Sequence, residues 1–219
     1  NAGYHTLRDF TPISTVGLVP FALTTHPAVP AKNLKELIAL ARSTPGRITV
    51  GSPGTGSLQH LAIELLNTAA GVKLVHVPYK GTGPAMTDVM GGHIDGMVTA
   101  ISGVIAVAKS GKLRVLAVTG DQRAATLPEV PTAQEQGLKG FNVVNWYAIV
   151  GPANMQPSSL NALHAAIVKT VANPTAREKL VGSGVDPKTD ATPAAFAMFV
   201  RDEFARWGKV VKQAGVKME

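Results

Sequence analysis

Apolar and polar positions change period repeatedly along the chain, and each change marks an element. Residues 7–12 are mostly polar and read as loop. Residues 13–17 and 21–25 are short apolar runs, read as two strands parted by Val19-Pro20. Leu34, Leu37, Ile38 and Ala41 recur at helical spacing. Asn33 stands before them as an N-cap, with Glu36 three residues later to close a capping box. Pro45-Gly46 stops that helix, and residues 47–51 form a strand. The pattern then alternates. Helix 57–70 carries Leu58, Leu61, Ala62 and Leu65 on one face, and strand 74–77, helix 83–90, strand 94–98, helix 102–109 and strand 113–119 follow. Such a series predicts a parallel sheet with helices on both faces. The nearly all-apolar LRVLAV at 113–118 suits a strand covered on both sides.

Residues 120–131 read as a long loop. Thr132 is expected to cap a short helix ending at Gly137, 143–150 is a strand containing Trp146, and 152–157 is a linker. Helices are expected at 158–172, 174–183 and 193–214, the last two behind Asn173 and Thr192 as N-caps with Pro at the first helical position. Composition shifts at Gly151. Residues 1–26 are expected to be a remnant of a first lobe with a hinge strand, and 27–145 a complete α/β lobe. Residues 146–219 would be the hinge return with the first lobe's C-terminal helices. A chain that leaves one body early and returns to it late is wired as two-lobed hinge proteins are.

Composition narrows the function classes. The 219 residues are 45% hydrophobic and 16% charged, enough to bury a core. The formal charge of +7 suits nucleic acid, an anionic membrane face or an acidic ligand. The basic residues are scattered, however, and two Trp and three Tyr are few for stacking on bases, so no nucleic-acid partner is expected. The lack of Cys excludes disulfides, thiolate metal sites and Cys nucleophiles. No apolar run reaches the length of a membrane span. No signal peptide opens the chain, which begins at Asn1-Ala2-Gly3-Tyr4 as if cut from something longer.

Three strand-to-helix junctions can carry chemistry. In Gly51-Ser52-Pro53-Gly54-Thr55-Gly56-Ser57, the glycines let a ligand approach the backbone. The amides at the following helix N-terminus favour an anion, and Ser52, Thr55 and Ser57 add hydroxyls. A carboxylate or a phosphate fits there, and so does a plain tight turn. The loop lacks the GK[ST] ending of a Walker A loop and the spacing of a dinucleotide fingerprint. The second junction, His76 to Ala85, offers Gly81, Thr82 and Gly83 as further donors and Tyr79 to pack on a carbon chain. Lys80 reads as a solvated side chain. At the third, Thr99, Ala100 and Ser102 follow a strand, with Ser102 also readable as a helix cap. Trp146 reads as core or as a wall of a cleft, with core the safer reading. The six His residues are dispersed without ligand spacing, so neither a metal nor a cofactor is expected. Asp88 is expected on a solvated helix face and Asp95 in a turn. No nucleophile–base–orienter set is visible, so an enzyme acting on an acyl or phosphate substrate is the weakest reading.

Several strings taken together resemble the Bug receptor family, the periplasmic binding subunits of tripartite tricarboxylate transporters. They are DFTPIS (9–14), VPAKNLKELIALAR (29–42), HVPYKG (76–81), GKLRVLAVTGDQRAATLPEVPT (111–132), GFNVVNWYAIVGPA (140–153) and EFARWGKVVKQAGVK (203–217). They span essentially the whole chain, in order. The resemblance implies a periplasmic, type II binding-protein fold: two α/β lobes around a cleft that closes on a small carboxylate held by backbone amides and waters. It places the ligand at Ser52–Ser57, at the Tyr79–Pro84 loop and after the 94–98 strand, and implies membrane transport subunits as partners. Two departures matter. Family members usually carry a longer stretch before the DFTPIS segment, so one lobe is expected to lack its N-terminal part. Exposed apolar surface, weakened binding and an oligomer through that open face would follow. Many members also have Asp or Asn where this chain reads Thr99-Ala100, which disfavours an amino-acid ligand. The other reading is a ligand-sensing module that hands its solute to a signalling partner.

Overall fold

A computed structural model describes residues 3–215. The ends of the expected stretches 1–26 and 146–219, and of the EFARWGKVVKQAGVK string, lie outside the described residues. Contacts divide the chain into two compact units. Among the described residues, one holds 20–145 with 210–215 and the other 3–19 with 146–209.

The first unit is built on the strand order β3-β2-β4-β1-β5. Its strands are the 20–25 end of β1 (Phe10–Thr25), β2 (Thr49–Ser52), β3 (Val75–Pro78), β4 (Gly96–Ala100) and β5 (Arg114–Val118). Its helices are α1 (Leu34–Ser43), α2 (Leu58–Ala70), α3 (Thr82–Met90) and the short α4 (Ile105–Lys109). β2 runs parallel to β3 and β4, while β1 runs antiparallel to β4 and β5. The sheet is therefore mixed: β2, β3 and β4 are parallel, as the strand–helix series predicts, and β1 runs against its neighbours. Helical crossovers make β2, β3 and β4 parallel. β1 enters along another route and has no such constraint.

β1 is also one strand, not two. Gly17 and Leu18 pair with β7 (Asp186–Pro187), and Phe21 to Thr25 pair with β4. Pro20 falls between these two ladders. Other boundaries shift for local reasons. The expected helix 102–109 is a 3₁₀ turn, Ile101–Gly103, followed by α4. At Thr132 a capping box does close: its Oγ1 accepts the Glu135 N–H at 3.0 Å and its own N–H donates to Glu135 at 2.7 Å. Thr132 is bridged to Val118, however, and Gly137 turns left-handed at φ 98°, so a turn forms there and no helix.

α1 follows its sequence pattern. Asn33 Oδ1 accepts the Glu36 N–H at 2.9 Å, and Leu34, Leu37 and Ala41 are buried. α2 buries Leu61, Ala62, Ile63 and Leu66, with Leu58 and Leu65 only half-buried. A buried Gln136 joins helix to sheet: its Oε1 accepts the Leu34 N–H at 2.7 Å and its Nε2 donates to Leu116 O at 2.8 Å.

The second unit carries the 10–19 part of β1, most of β6 (Val144–Pro152), β7, α5 (Pro157–Ala172), α6 (Pro174–Gly182) and most of α7 (Pro193–Ala214). The expected linker is shorter, because β6 runs on to Pro152 and α5 starts at Pro157. Asn173 caps α6, and Thr192 Oγ1 accepts the Ala195 N–H at 3.1 Å at the start of α7. Phe196 is fully buried, with Trp146 set edge-on to it and to Phe199. Apolar side chains also lie open: Tyr147, Ile149, Leu163, Met198 and Phe204 are each at least 45% exposed.

Candidate functional site

β2, β3 and β4 are parallel, so their C-terminal ends share one edge of the sheet. Ligands in α/β sheets bind outside such edges. The first two junctions meet there. The Tyr79 N–H donates to Ser52 O at 3.0 Å and the Gly81 N–H to Pro53 O at 2.9 Å. Main chain thus ties the loop after β2 to the loop after β3.

The first loop is also tied to itself. Ser57 caps α2, accepting the His60 N–H at 3.2 Å and donating to Gly54 O at 2.7 Å. Gly56 is left-handed at φ 76°, a conformation other residues resist. Three amides expected to face a ligand are occupied. Gly54 N–H donates to Ser52 Oγ at 3.2 Å, Gly56 N–H to His60 Nδ1 at 3.1 Å, and Gly81 N–H to Pro53. Ser52 is fully buried and serves the loop from behind, while Thr55 is exposed.

The second loop leaves its helix open. The N-cap of α3 is Gly81 at φ 112°, with no side-chain cap and no acidic residue in the first turn. The amides of Thr82 and Gly83 stand at that end, where the helix dipole is positive. Tyr79 OH donates to Asp88 Oδ2 at 2.7 Å, and burial first, then that bond, pushes the phenol up to about 12. Asp88 is therefore no solvated bystander: it fixes Tyr79, whose ring lies over Gly51. Asp95 occupies a turn, as expected, and accepts the Thr49 N–H and hydroxyl, both at 2.7 Å. The third junction comes later than expected: β4 runs on to Ala100, so Thr99, buried, and Ala100, half-buried, lie in the strand, and the 3₁₀ turn that follows has no side-chain cap. Ser102 is exposed within that turn and caps nothing. Trp146 belongs to the other unit.

Sequence reading missed one cluster. The histidines are not all dispersed: His60 and His76 stack, with ring centroids 3.7 Å apart and planes 13° from parallel. His76 Nε2 lies 2.7 Å from Ser52 Oγ. Burial, then the neighbouring His60, pushes His76 down to about 4. Burial also lowers His60, against the opposing pull of Glu64. Pairing of β2 with β3 sets His76 beside Val50, and Ser57 starts the helix that carries His60. Ser52 with His76 is a hydroxyl–imidazole pair, but Ser52 is sealed from solvent and holds the Gly54 amide. Its geometry serves positioning and gives no nucleophilic attack. Among the described residues, no group of His, Asp and Glu is arranged to hold a metal.

Comparisons with known proteins agree along the chain. The family model described as "Tripartite tricarboxylate transporter family receptor" matches residues 1–216. Protein BugT of Bordetella pertussis is 33% identical over 99% of this chain and 66% of its own length. The R. palustris protein Rpa4515, solved with adipate, is 30% identical, with a TM-score of 0.82 over 99% of this chain and 72% of that one. MatC of Rhodopseudomonas palustris, solved with bound malate, is 29% identical, with a TM-score of 0.76 over 95% of this chain and 72% of that one. The chain thus spans just under two thirds of the curated relatives' length, at 62–66% for the first three. Its mixed α/β architecture with two lobes is that of type II periplasmic binding proteins.

Proposed function

Because this chain belongs to the tripartite tricarboxylate transporter receptor family, we propose that it captures a small carboxylate outside the cytoplasm for a transporter of that kind. Membership also assigns it to the periplasm. The observation that carries the reading is the α3 N-terminus. It is uncapped, free of acidic side chains, and fixed to the Ser52–Ser57 loop by main-chain bonds. A carboxylate there meets oriented amides and a positive dipole end without needing Lys or Arg. This favours Thr82 and Gly83 as donors, with Thr55 and Ser57 flanking them. Thr99-Ala100 offers no carboxylate to an ammonium group, so a plain di- or tricarboxylate is favoured over an amino acid. Adipate and malate, found with two relatives, set the range of ligands to test. Membrane transport subunits are the proposed partners, and self-association through the exposed apolar residues is proposed for the chain as it stands.

The test is calorimetry and thermal unfolding with adipate, malate and tricarboxylates. It uses this chain and the full product of its gene. Ligand at about a hundred times its dissociation constant stabilises the binding form by about 2.7 kcal/mol. No stabilisation of either form by any of these acids defeats the proposal, and tight binding of an amino acid defeats its ligand class.

A further inference from the structure

The 53–57 loop owes its shape to groups behind it. Gly56 gives its N–H to His60 Nδ1 at 3.1 Å, and Gly54 gives its N–H to Ser52 Oγ, which lies 2.7 Å from His76 Nε2. The two imidazoles stack at 3.7 Å. A backbone amide can only donate, so His60 Nδ1 must be the unprotonated nitrogen and Nε2 carries the ring proton. That Nε2 lies 3.7 Å from Glu64 Oε1 on the same helix.

We propose that the neutral His60–His76 stack positions the 53–57 loop, and that protonating His60 ejects the Gly56 amide and opens the loop. The added proton goes to Nδ1 and turns it from acceptor to donor. Two N–H groups then face each other at 3.1 Å, and that bond cannot persist. A second proton on His76 sets two cations face to face, with His60 buried and His76 half-buried. The surrounding charges do little to relieve this. Among the described residues Glu64 opposes it, and it bears on His60. The 53–57 loop contains no titratable side chain, and β2 contributes the uncharged Ser52. Tyr79 and Asp88 lie on the other face of β2, because a side chain at Gly51 would point at Tyr79 while Ser52, the next residue, points the opposite way. Both histidine pKa values are depressed, in keeping with a pair built to stay neutral.

The consequence for ligand rests on the carboxylate reading above: capture at neutral pH and release as the pair titrates. Amide spectra of the chain are recorded from about pH 7.5 to about pH 3.5, across the ordinary histidine range and past the lowered His76. The wild-type chain and His60→Gln, whose amide oxygen can still accept from Gly56, are compared. We expect the Gly56 amide and the His60 ring of the wild type to move together, with a midpoint below 6.5, and the Gly56 amide of His60→Gln to stay flat. A wild-type Gly56 amide that stays fixed while the His60 ring titrates overturns the proposal, and the wild-type result decides even if the variant does not fold. A Gly56 amide in His60→Gln that titrates like the wild type also overturns it. Adipate is added in a separate arm. Its affinity should fall about tenfold across the titration, the effect of one unit of proton linkage. Absence of adipate-induced shifts at Thr82 and Gly83 at neutral pH counts against the carboxylate site and leaves the loop result standing.

Discussion

Gln136→Leu is the most direct test of how the larger unit is held together. The Gln136 amide spans two main-chain groups, the Leu34 N–H at 2.7 Å and Leu116 O at 2.8 Å. Leu34 and Leu116 are each only 1% exposed, so water cannot take over either bond. Leu fills a similar volume and leaves both groups unsatisfied. Each orphaned buried group costs about 1–3 kcal/mol, so the pair should cost about 2–6 kcal/mol. The extra apolar burial returns about 1 kcal/mol. The net loss is then about 1–5 kcal/mol, a large share of a stability of about 5–15 kcal/mol. Urea unfolding followed by amide exchange reads this locally. With a slope of about 2 kcal/mol/M, a 3 kcal/mol loss lowers the midpoint by about 1.5 M at unchanged slope. The Leu34 amide should also exchange faster than the interior of α1. A midpoint within about 0.2 M of wild type, with Leu34 still protected, would refute the bridging role.

Further outcomes follow from single contacts. Phe196→Ala removes the fully buried ring that Trp146 meets edge-on, and should cost the smaller unit about 3–5 kcal/mol, read as loss of Trp146 near-UV dichroism at lower urea. Tyr79→Phe removes the bond to Asp88, and should cost about 1 kcal/mol and weaken carboxylate affinity more than it shifts the thermal midpoint. Stability should depend on pH with a definite sign. Both histidine pKa values are lower folded than unfolded, so their contribution is complete above about 6.5 and is lost as pH falls toward about 4. After discount for partial exposure the loss is about 1–2 kcal/mol, and replacing both by Gln should flatten urea midpoints across that range.

What was legible in the sequence was local. Asn33 with Glu36, Asn173 with Pro174 and Thr192 with Pro193 lie within a turn of what they cap, so spacing alone reveals them. The strand–helix alternation brought the loops after β2 and β3 to one edge for the same reason. What stayed hidden depends on partners far along the chain. Pro20 reads as a strand break until the pairings on either side, from residues near 97 and near 187, are known. His76 reads as a stray histidine until β3 pairs with β2 and sets it against His60. The glycine amides look free because their acceptors are side chains and carbonyls that only folding brings near. Gly54 with Ser52, two residues apart, and Gly56 with His60, four apart, are the pairs that spacing could have exposed.

The ties between the two loops run through main-chain atoms, from Tyr79 and Gly81 to Ser52 and Pro53. They ask nothing of the side chains at Thr55, Lys80 and Thr82. Those positions can vary without loosening the frame, so chemical preference and architecture are inherited separately. A selection library confined to these three sites should then yield folded receptors with altered preferences far more often than one spread over the glycines. In such a scaffold, diversification proceeds by redecorating a fixed rim.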